Sequence, residues 1–248
     1  MSTTVIGAPA VPRAPASPIN ILNNGTAKLY THLHPILVLS LYAYRWPSIV
    51  ADPVPALTSA LVPLSILQIA YVAICLPPTG GTASTVPQAD KRKPGEKKKA
   101  APSKVESGIN GTIIPAFLSL LLSSLAAAPL LTATLVLFGA PMTTHHTHTV
   151  LCGAHIALLS FLPLVYVHGV DGTTWREVVA LLLPIDEVYG GMIGSVFGAW
   201  CGAVPIPLDW DREWQKWPIT IVTGAYVGYA VGKLLGGTLL KGKKIMFE

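Results

Sequence analysis

Residues 198–218 read GAWCGAVPIPLDWDREWQKWP, a polar and aromatic segment between two apolar stretches. Each of these stretches carries a glycine at every fourth position. The first row is Gly190, Gly194, Gly198 and Gly202, and the second is Gly224, Gly228, Gly232 and Gly236. Glycines at this spacing lie along one helix face and let another backbone approach closely. The pattern predicts a helical hairpin in a membrane, whose rows pack against each other or against a partner helix.

The composition is that of a membrane protein. The chain is 51% hydrophobic and only 12% charged, and its mean hydropathy is +0.54, whereas soluble domains are about 25% charged. A helix needs about 20 apolar residues to cross the hydrocarbon layer. Six segments reach roughly that length: 33–51, 55–76, 110–138, 149–167, 187–205 and 217–237. The sequence therefore predicts an all-α polytopic membrane protein, a bundle of about six transmembrane helices.

The chain divides into membrane and polar parts. We expect a disordered N-terminus over 1–30, two transmembrane helices over 31–76, a basic disordered linker over 77–108, four transmembrane helices over 109–240 and a basic tail over 241–248. The linker is rich in Pro, Gly and Ser, a composition typical of disorder. Its basic runs either contact anionic lipid or only fix the topology. No aromatic residues alternate with these bases, so nucleic-acid binding is not indicated.

The distribution of lysine and arginine predicts the orientation. With six spans, both termini and the linker lie on one side of the membrane. All lysines and arginines except Arg45, Arg212 and Lys216 belong to that side, which the positive-inside rule places in the cytosol. Lys233 lies inside the last apolar segment near its cytosolic end, and we expect it to extend to the headgroups.

Histidines supply two weaker candidates. His145, His146 and His148 lie together in the connection between the third and fourth spans. Imidazole is a common metal ligand, but no carboxylate or cysteine accompanies them, so they are weak candidates for a metal site. His155 falls within the fourth span, and an ionisable group inside a membrane is a candidate functional residue. We expect a neutral His155 that hydrogen-bonds to a neighbouring helix.

The connection between the fourth and fifth spans predicts a short helix along the cytosolic interface. Thr174 and Glu177 have the spacing of a capping box, and Trp175 would anchor the helix at the interface. Alternatively, this helix continues into the fifth span. Asp186 and Glu187 would then enter the membrane and gain functional weight.

The loop between the glycine rows is the main candidate site. Its distinctive residues are Pro205, Pro207, Asp209, Trp210, Asp211, Arg212, Trp214 and Trp217. One reading is an interfacial cap held by internal ion pairs, with the tryptophans at the membrane surface. A second is recognition, in which Arg212 or Lys216 contacts a phosphate and the tryptophans stack on sugar or lipid. A third is contact with a partner's lumenal domain, and the sequence leaves all three open.

This loop, with VYGGMIG before it and TGAYVGYAVG after it, resembles the signature of the PIG-F family over residues 186–236. The family consists of polytopic endoplasmic-reticulum proteins of glycosylphosphatidylinositol (GPI) anchor assembly. The resemblance implies a subunit that binds and stabilises the large ethanolamine-phosphate transferases, which add phosphoethanolamine to GPI mannoses in the lumen. Membrane lipids and the GPI precursor are the further candidate ligands, and no cofactor is expected in this chain.

The lumenal residues argue separately against catalysis by this chain. Phosphoryl transfer needs a nucleophile and, typically, metal ions held by several ligands. The longest lumenal connection offers Asp209, Asp211 and Glu213 without a histidine. The alternative is a directly active protein, either the transferase itself or a lipid or ion carrier. Carriers usually hold several acids or bases at the centres of their spans. Here the span centres contain mainly His155, Gln68 and hydroxyl groups. We therefore favour a non-catalytic subunit.

Two Asn-Gly-Thr sequons, at Asn24 and Asn110, test the orientation. Both would face the cytosol or the membrane edge, so neither is expected to be glycosylated. Glycosidase treatment should leave the gel mobility of the protein unchanged, and Asn24→Gln and Asn110→Gln variants should migrate with it. A mobility shift that either variant abolishes would reverse the orientation.

Overall fold

The computed structural model describes residues 16–79, 109–208 and 210–246, and every regular element in them is helical. The helices are α1 (Gly25–Ala51), α2 (Pro53–Cys75), α3 (Ile109–Leu122), α4 (Ala128–Leu137), α5 (His146–His168), α6 (Gly172–Val179), α7 (Glu187–Gly202) and α8 (Ile219–Gly237). This confirms the predicted all-α fold. The N-terminal 15 residues and most of the basic linker lie outside the described ranges, and the predictions of disorder there stay predictions.

Five helical segments in this part of the chain are long and apolar enough to cross a membrane. They are Pro53–Cys75, Gly111–Leu137, His146–His168, Glu187–Leu208 and Ile219–Gly237. The remaining predicted span, 33–51, lies in α1, which is 27 residues long. Lys28, His32 and Arg45 make α1 more polar than the others. It nevertheless packs along α2 and α8 as a sixth long helix.

The first and the last described segments of the chain meet at one end of the bundle. Leu22 N donates a hydrogen bond to Cys75 O (2.8 Å), and Ile185 N donates to Lys243 O (2.8 Å). Residues before α1 and after α8 therefore lie beside the end of α2 and the start of α7. We call this the tail end, which comprises residues 16–24, 76–79, 167–186 and 238–246.

The opposite end, here the loop end, comprises residues 138–146, 203–208 and 210–218. Trp217 Nε1 donates to Thr149 Oγ1 across 3.1 Å, which joins the last of these segments to the start of α5. The six long helices thus alternate between the two ends. The described segments before α1 and after α8 therefore lie at the same end, and the placement of both termini in the cytosol stays a prediction.

Helix α5 is the centre of the bundle, and the third span is its periphery. In the apolar 18-residue stretch of α5, 78% of the residues are buried. The corresponding share for the third span, Gly111–Leu137, is 17%. A helix that is apolar on all sides can be enclosed by neighbours, and α5 contacts α2, α3, α4, α7 and α8. The third span instead leaves most of its surface for lipid or protein.

A π-helical turn at Ser123–Ala127 joins α3 to α4. It ends two residues before Pro129, which occupies the second position of α4. Proline lacks an N–H and crowds the preceding turn, and a local change of helical register is a usual way to accommodate it. The long third span is therefore one continuous helical path despite its prolines.

The predicted capping box on α6 is wrong, because Asp171 caps this helix instead. Its carboxylate accepts hydrogen bonds from Thr174 N (3.1 Å), Thr173 Oγ1 (2.6 Å) and Thr174 Oγ1 (2.7 Å). The hydrogen bonds from the Thr173 and Thr174 hydroxyls hold the pKa of Asp171 well below its usual range. An aspartate that reaches a helix-terminal N–H and two hydroxyls is a stronger cap than Thr174, so α6 begins at Gly172.

Candidate functional site: the glycine-packed hairpin, its loop and its buried ion pair

The two glycine rows face each other along α7 and α8. A Cβ atom added to Gly194 would lie 2.7 Å from Gly232 Cα, and one added to Gly198 would lie 2.9 Å from Gly228 Cα. Real Cβ atoms essentially never approach other atoms this closely, so only glycine permits the observed backbone separation. The two rows pack against each other, so in this structure neither glycine face is accessible to a separate partner helix.

The same crowding extends to both ends of the hairpin. A Cβ added to Gly202 would lie 2.8 Å from Ile221 Cα at the loop end. At the tail end, one added to Gly236 would lie 3.0 Å from Gly190 Cα. The antiparallel helices are therefore in close contact over their whole length, and this contact fixes their register.

The loop between α7 and α8 is organised by Gln215, a residue that the sequence analysis had not singled out. Its amide Nε2 donates to Pro205 O (2.8 Å), and its Oε1 accepts from Arg212 N (3.2 Å). Gln215 thus ties the two halves of the loop together. Short 3₁₀ turns form at Ile206–Leu208, which contains Pro207, and at Glu213–Gln215. Asp209 lies outside the described residues.

Charged and aromatic groups of the loop are largely solvent- or lipid-facing. Lys216 pairs with Glu213, and both side chains are more than half exposed, so the pair contributes about 0–1 kcal/mol. The Trp210 and Trp214 rings contact edge to face at 5.7 Å between centroids. Asp211 adopts a left-handed backbone conformation with φ of 49°. The loop is thus a folded cap whose polar groups remain accessible.

The three loop-end histidines do not assemble a metal site. His145 and His148 rings lie 5.1 Å apart, while His146 Nε2 interacts with the neighbouring Thr147 hydroxyl at 3.2 Å. Across the described ranges, no three His, Cys, Asp or Glu side chains are grouped closely enough to hold a metal ion.

The expectation that Lys233 extends to the headgroups is wrong. Its side chain is only 2% exposed and pairs with Glu187, which is 8% exposed. Glu187 Oε1 also accepts hydrogen bonds from Thr31 Oγ1 and from Tyr71 Oη (3.0 Å). The ammonium lies 3.3 Å from the Tyr71 ring centroid, a cation–π contact. A buried lysine has to be paired, and the partner carboxylate retains it inside the bundle.

Asp186, next to this pair, caps α7. Its Oδ1 accepts from Val188 N and Tyr189 N (both 2.9 Å), and its Oδ2 accepts from Ile19 N (2.8 Å). Burial raises the pKa of the Asp186 carboxyl, although these three N–H groups counteract the rise. Residues 180–186 are not helical, so α6 does not continue into α7. Asp186 and Glu187 are nevertheless both buried.

The sequence did contain a signal for these residues. Two adjacent acids directly before an apolar helix match the usual charge preference of a helix start. A lone lysine in an apolar run needs a counter-charge. What the sequence did not indicate is that the antiparallel register brings the start of α7 beside the end of α8.

His155 makes the predicted contacts to neighbouring helices. Its Nε2 lies 3.1 Å from Leu57 O, and its Nδ1 lies 2.8 Å from Tyr226 Oη. A carbonyl oxygen can only accept, so the proton resides on Nε2 and Tyr226 donates to Nδ1. The imidazole thus bridges α2, α5 and α8.

Comparison with known proteins finds a family and several relatives that this chain resembles. The family model PIG-F, described as GPI biosynthesis protein family Pig-F, matches residues 33–237. Glycosylphosphatidylinositol anchor biosynthesis protein 11 of Aspergillus fumigatus is 46% identical, with 92% of this chain and 84% of the relative aligned. The protein of the same name from Neurospora crassa is 47% identical, with 92% and 80% aligned. No solved structure matches this chain.

The glycine contact predicts that added side chains separate the hairpin. Gly198→Leu or Gly228→Leu should lower stability by about 1–3 kcal/mol and reduce the amount of folded protein, because each new side chain meets backbone atoms. Thermal unfolding in mild detergent would measure the loss. Gly237→Ala is the matched control, since its Cβ would first meet Glu187 Cγ at an ordinary 3.5 Å. Wild-type stability of both leucine variants would contradict the packing assignment.

The buried ion pair predicts strong non-additivity. Glu187→Gln or Lys233→Met alone should destabilise the fold by about 3–5 kcal/mol, because each leaves an uncompensated buried charge. The double variant should lose much less, since it leaves no charge behind. A double-mutant cycle on thermal unfolding would measure the coupling. Lys216→Gln, which breaks the exposed pair, serves as control and should change stability by about 0–1 kcal/mol. Additive effects of the two buried substitutions would refute the assignment.

Proposed function

This chain belongs to the GPI biosynthesis protein family Pig-F, and we propose that it serves GPI-anchor assembly as a non-catalytic accessory subunit in the membrane. Its proposed partner is a large polytopic ethanolamine-phosphate transferase, which the subunit binds and stabilises. The proposed location is the endoplasmic reticulum membrane, with both termini cytosolic. The observation that carries the proposal is the family match, which spans nearly the whole helical bundle.

The buried charged residues make contacts within the helical bundle, which supports a non-catalytic role. In the described ranges the buried charged residues are Asp186, Glu187 and Lys233. Asp186 caps a helix, and the other two neutralise each other while contacting Thr31 and Tyr71. These groups hold helices together. Groups that are committed to internal contacts are poorly placed to activate a substrate.

A partner has to contact surfaces other than the glycine rows, which are occupied. The third span is the least buried of the five apolar spans. It presents large side chains outward, among them Phe117 at 65% exposure and Leu125 at 70%. We propose this face for the transferase helices, with packing as the driving force, because burial of apolar surface gives little gain in lipid.

The signature loop provides a second proposed contact, on the opposite side from the termini. Trp210 is 53% exposed and Arg212 is also exposed. An exposed guanidinium suits phosphate and an exposed indole suits a sugar face or lipid interface. The transferase's lumenal domain, a membrane lipid and the GPI precursor are therefore all proposed ligands of this loop.

One observation bears on the alternative of a lipid or ion carrier. The buried Glu187–Lys233 pair is an intramembrane charge of the kind that carriers use. However, Glu187 is the first residue of α7, and Lys233 lies near the last turn of α8. The pair therefore lies at the tail end and not at mid-depth, where carrier sites are found. We favour the subunit.

The decisive test concerns the carboxylates of the loop. Asp209→Asn with Asp211→Asn removes the only close aspartate pair of the signature loop. If this chain is a non-catalytic subunit, phosphoethanolamine transfer should fall only as far as the amount of assembled transferase complex falls. The measurement is transfer activity divided by the amount of complex recovered after co-expression with a large ethanolamine-phosphate transferase.

Glu213→Gln with Lys216→Gln is the matched control, because it alters charges of the same loop outside the aspartate pair. Both double variants should retain wild-type transfer for each assembled complex. An assembled but inactive Asp209→Asn/Asp211→Asn complex, beside an active control, would show that this chain supplies catalytic groups.

A further inference from the structure

A cleft of about 210 Å³ opens at the tail end between α1 and α8. Its base is formed by the buried Thr31, Glu187 and Lys233, while Lys28 and His32 lie at the exposed rim. The apolar part of its wall is formed by Ile21, Pro35, Leu234 and Gly237. The volume corresponds to about seven waters. It is smaller than the roughly 300–1,000 Å³ of typical small-molecule sites, so it suits a headgroup-sized ligand.

We propose that this cleft binds the headgroup of a zwitterionic membrane phospholipid, with the lipid phosphate at Lys28 and His32. These two side chains are four residues apart on α1, so they lie on the same helix face. Lys28 forms no ion pair within the described parts of the chain. Its ammonium is therefore available for an anion, and lysine is a common phosphate binder.

Glu187 adds selectivity at the base of the cleft. Its three hydrogen bonds all go to Oε1, and Oε2 accepts none from the described residues. Oε2 lies 3.6 Å from the position that a Cβ on Gly237 would take, and both Glu187 and Gly237 line the cleft. A free carboxylate oxygen disfavours a doubly charged phosphate monoester. It favours a headgroup that combines one phosphate charge with an amine.

The position of the cleft favours a lipid over a soluble ligand. Lys28 is the fourth residue of α1, and Lys233 precedes the end of α8 by one turn, so both charges lie close to the tail end of the bundle, where transmembrane helices approach the lipid headgroups. From Leu234 an exposed apolar strip continues along α8 toward the loop end. Its members are Leu234 at 57%, Val231 at 50% and Val227 at 48% exposure. Acyl chains can follow this strip while the headgroup occupies the cleft.

The test measures lipid binding to the isolated full-length protein in detergent. Palmitoyl-oleoyl phosphatidylethanolamine is titrated, and the bound fraction is read by native mass spectrometry. Lys28→Gln should weaken binding about tenfold, the expected effect of losing one charge-assisted hydrogen bond, whereas Lys28→Arg should retain it. Gly237→Leu should also lose binding, because the added side chain enters the cleft. The control is Lys241→Gln, which lies at the same end outside the cleft lining and should bind as the wild type does.

Two further arms identify the ligand. Millimolar inorganic phosphate should not displace the lipid, and phosphatidic acid, a monoester, should bind more weakly than the zwitterionic lipid. Displacement by inorganic phosphate would instead indicate a soluble-anion site, and a preference for phosphatidic acid would overturn the role of Glu187. Unchanged binding in both Lys28→Gln and Gly237→Leu would exclude the cleft. Because no partner is present, the result is independent of the proposed transferase.

Discussion

Direct backbone contact between α7 and α8 is the constraint on which the other features of this structure depend. In lipid, two helices gain little from burying apolar side chains, so their association relies on close packing. Glycine at every fourth position provides that contact, and a Cβ at Gly198 or Gly228 would overlap the facing backbone. The contact fixes the antiparallel register. The register in turn places the signature loop at one end of the hairpin and the two acids of α7 beside Lys233 at the other.

The buried pair of Glu187 and Lys233 connects four helices, because Thr31 belongs to α1 and Tyr71 to α2. A buried ion pair adds little net stability, since desolvation offsets most of the attraction. Its effect here is geometric, because an alternative arrangement of the helices would leave a charge unpaired in the apolar interior. The glycine rows thus define how α7 and α8 pack, and the ion pair defines how α1 and α2 pack against them. The cleft beside Lys28 follows from the same arrangement.

Much of the fold was predictable because crossing a membrane is a local property of the chain. The length and apolarity of each segment indicated the long helices, and glycine spacing indicated the hairpin contact. The errors had two sources, a choice between neighbouring helix caps and a residue environment that depends on distant parts of the chain. The capping box at Thr174 failed because Asp171 competes for the same helix start, a choice between two local caps. The position of Lys233 near the cytosolic end of its apolar segment predicted that it reaches the headgroups, but its counter-charge, Glu187, lies 46 residues away in the sequence.

The sequence by itself determined the helical class, the approximate spans, the glycine-packed hairpin and the resemblance to the PIG-F family. Each of these depends on residue type and spacing within about 50 residues. Only the tertiary structure decided that the tail end gathers Ile19, Asp186 and Lys243, that Gln215 organises the loop and that Lys28 and Glu187 line a common cleft. These features require the relative rotation and register of helices far apart in the chain. In a bundle whose helices are apolar on most sides, hydrophobic patterning does not specify which side faces a neighbour.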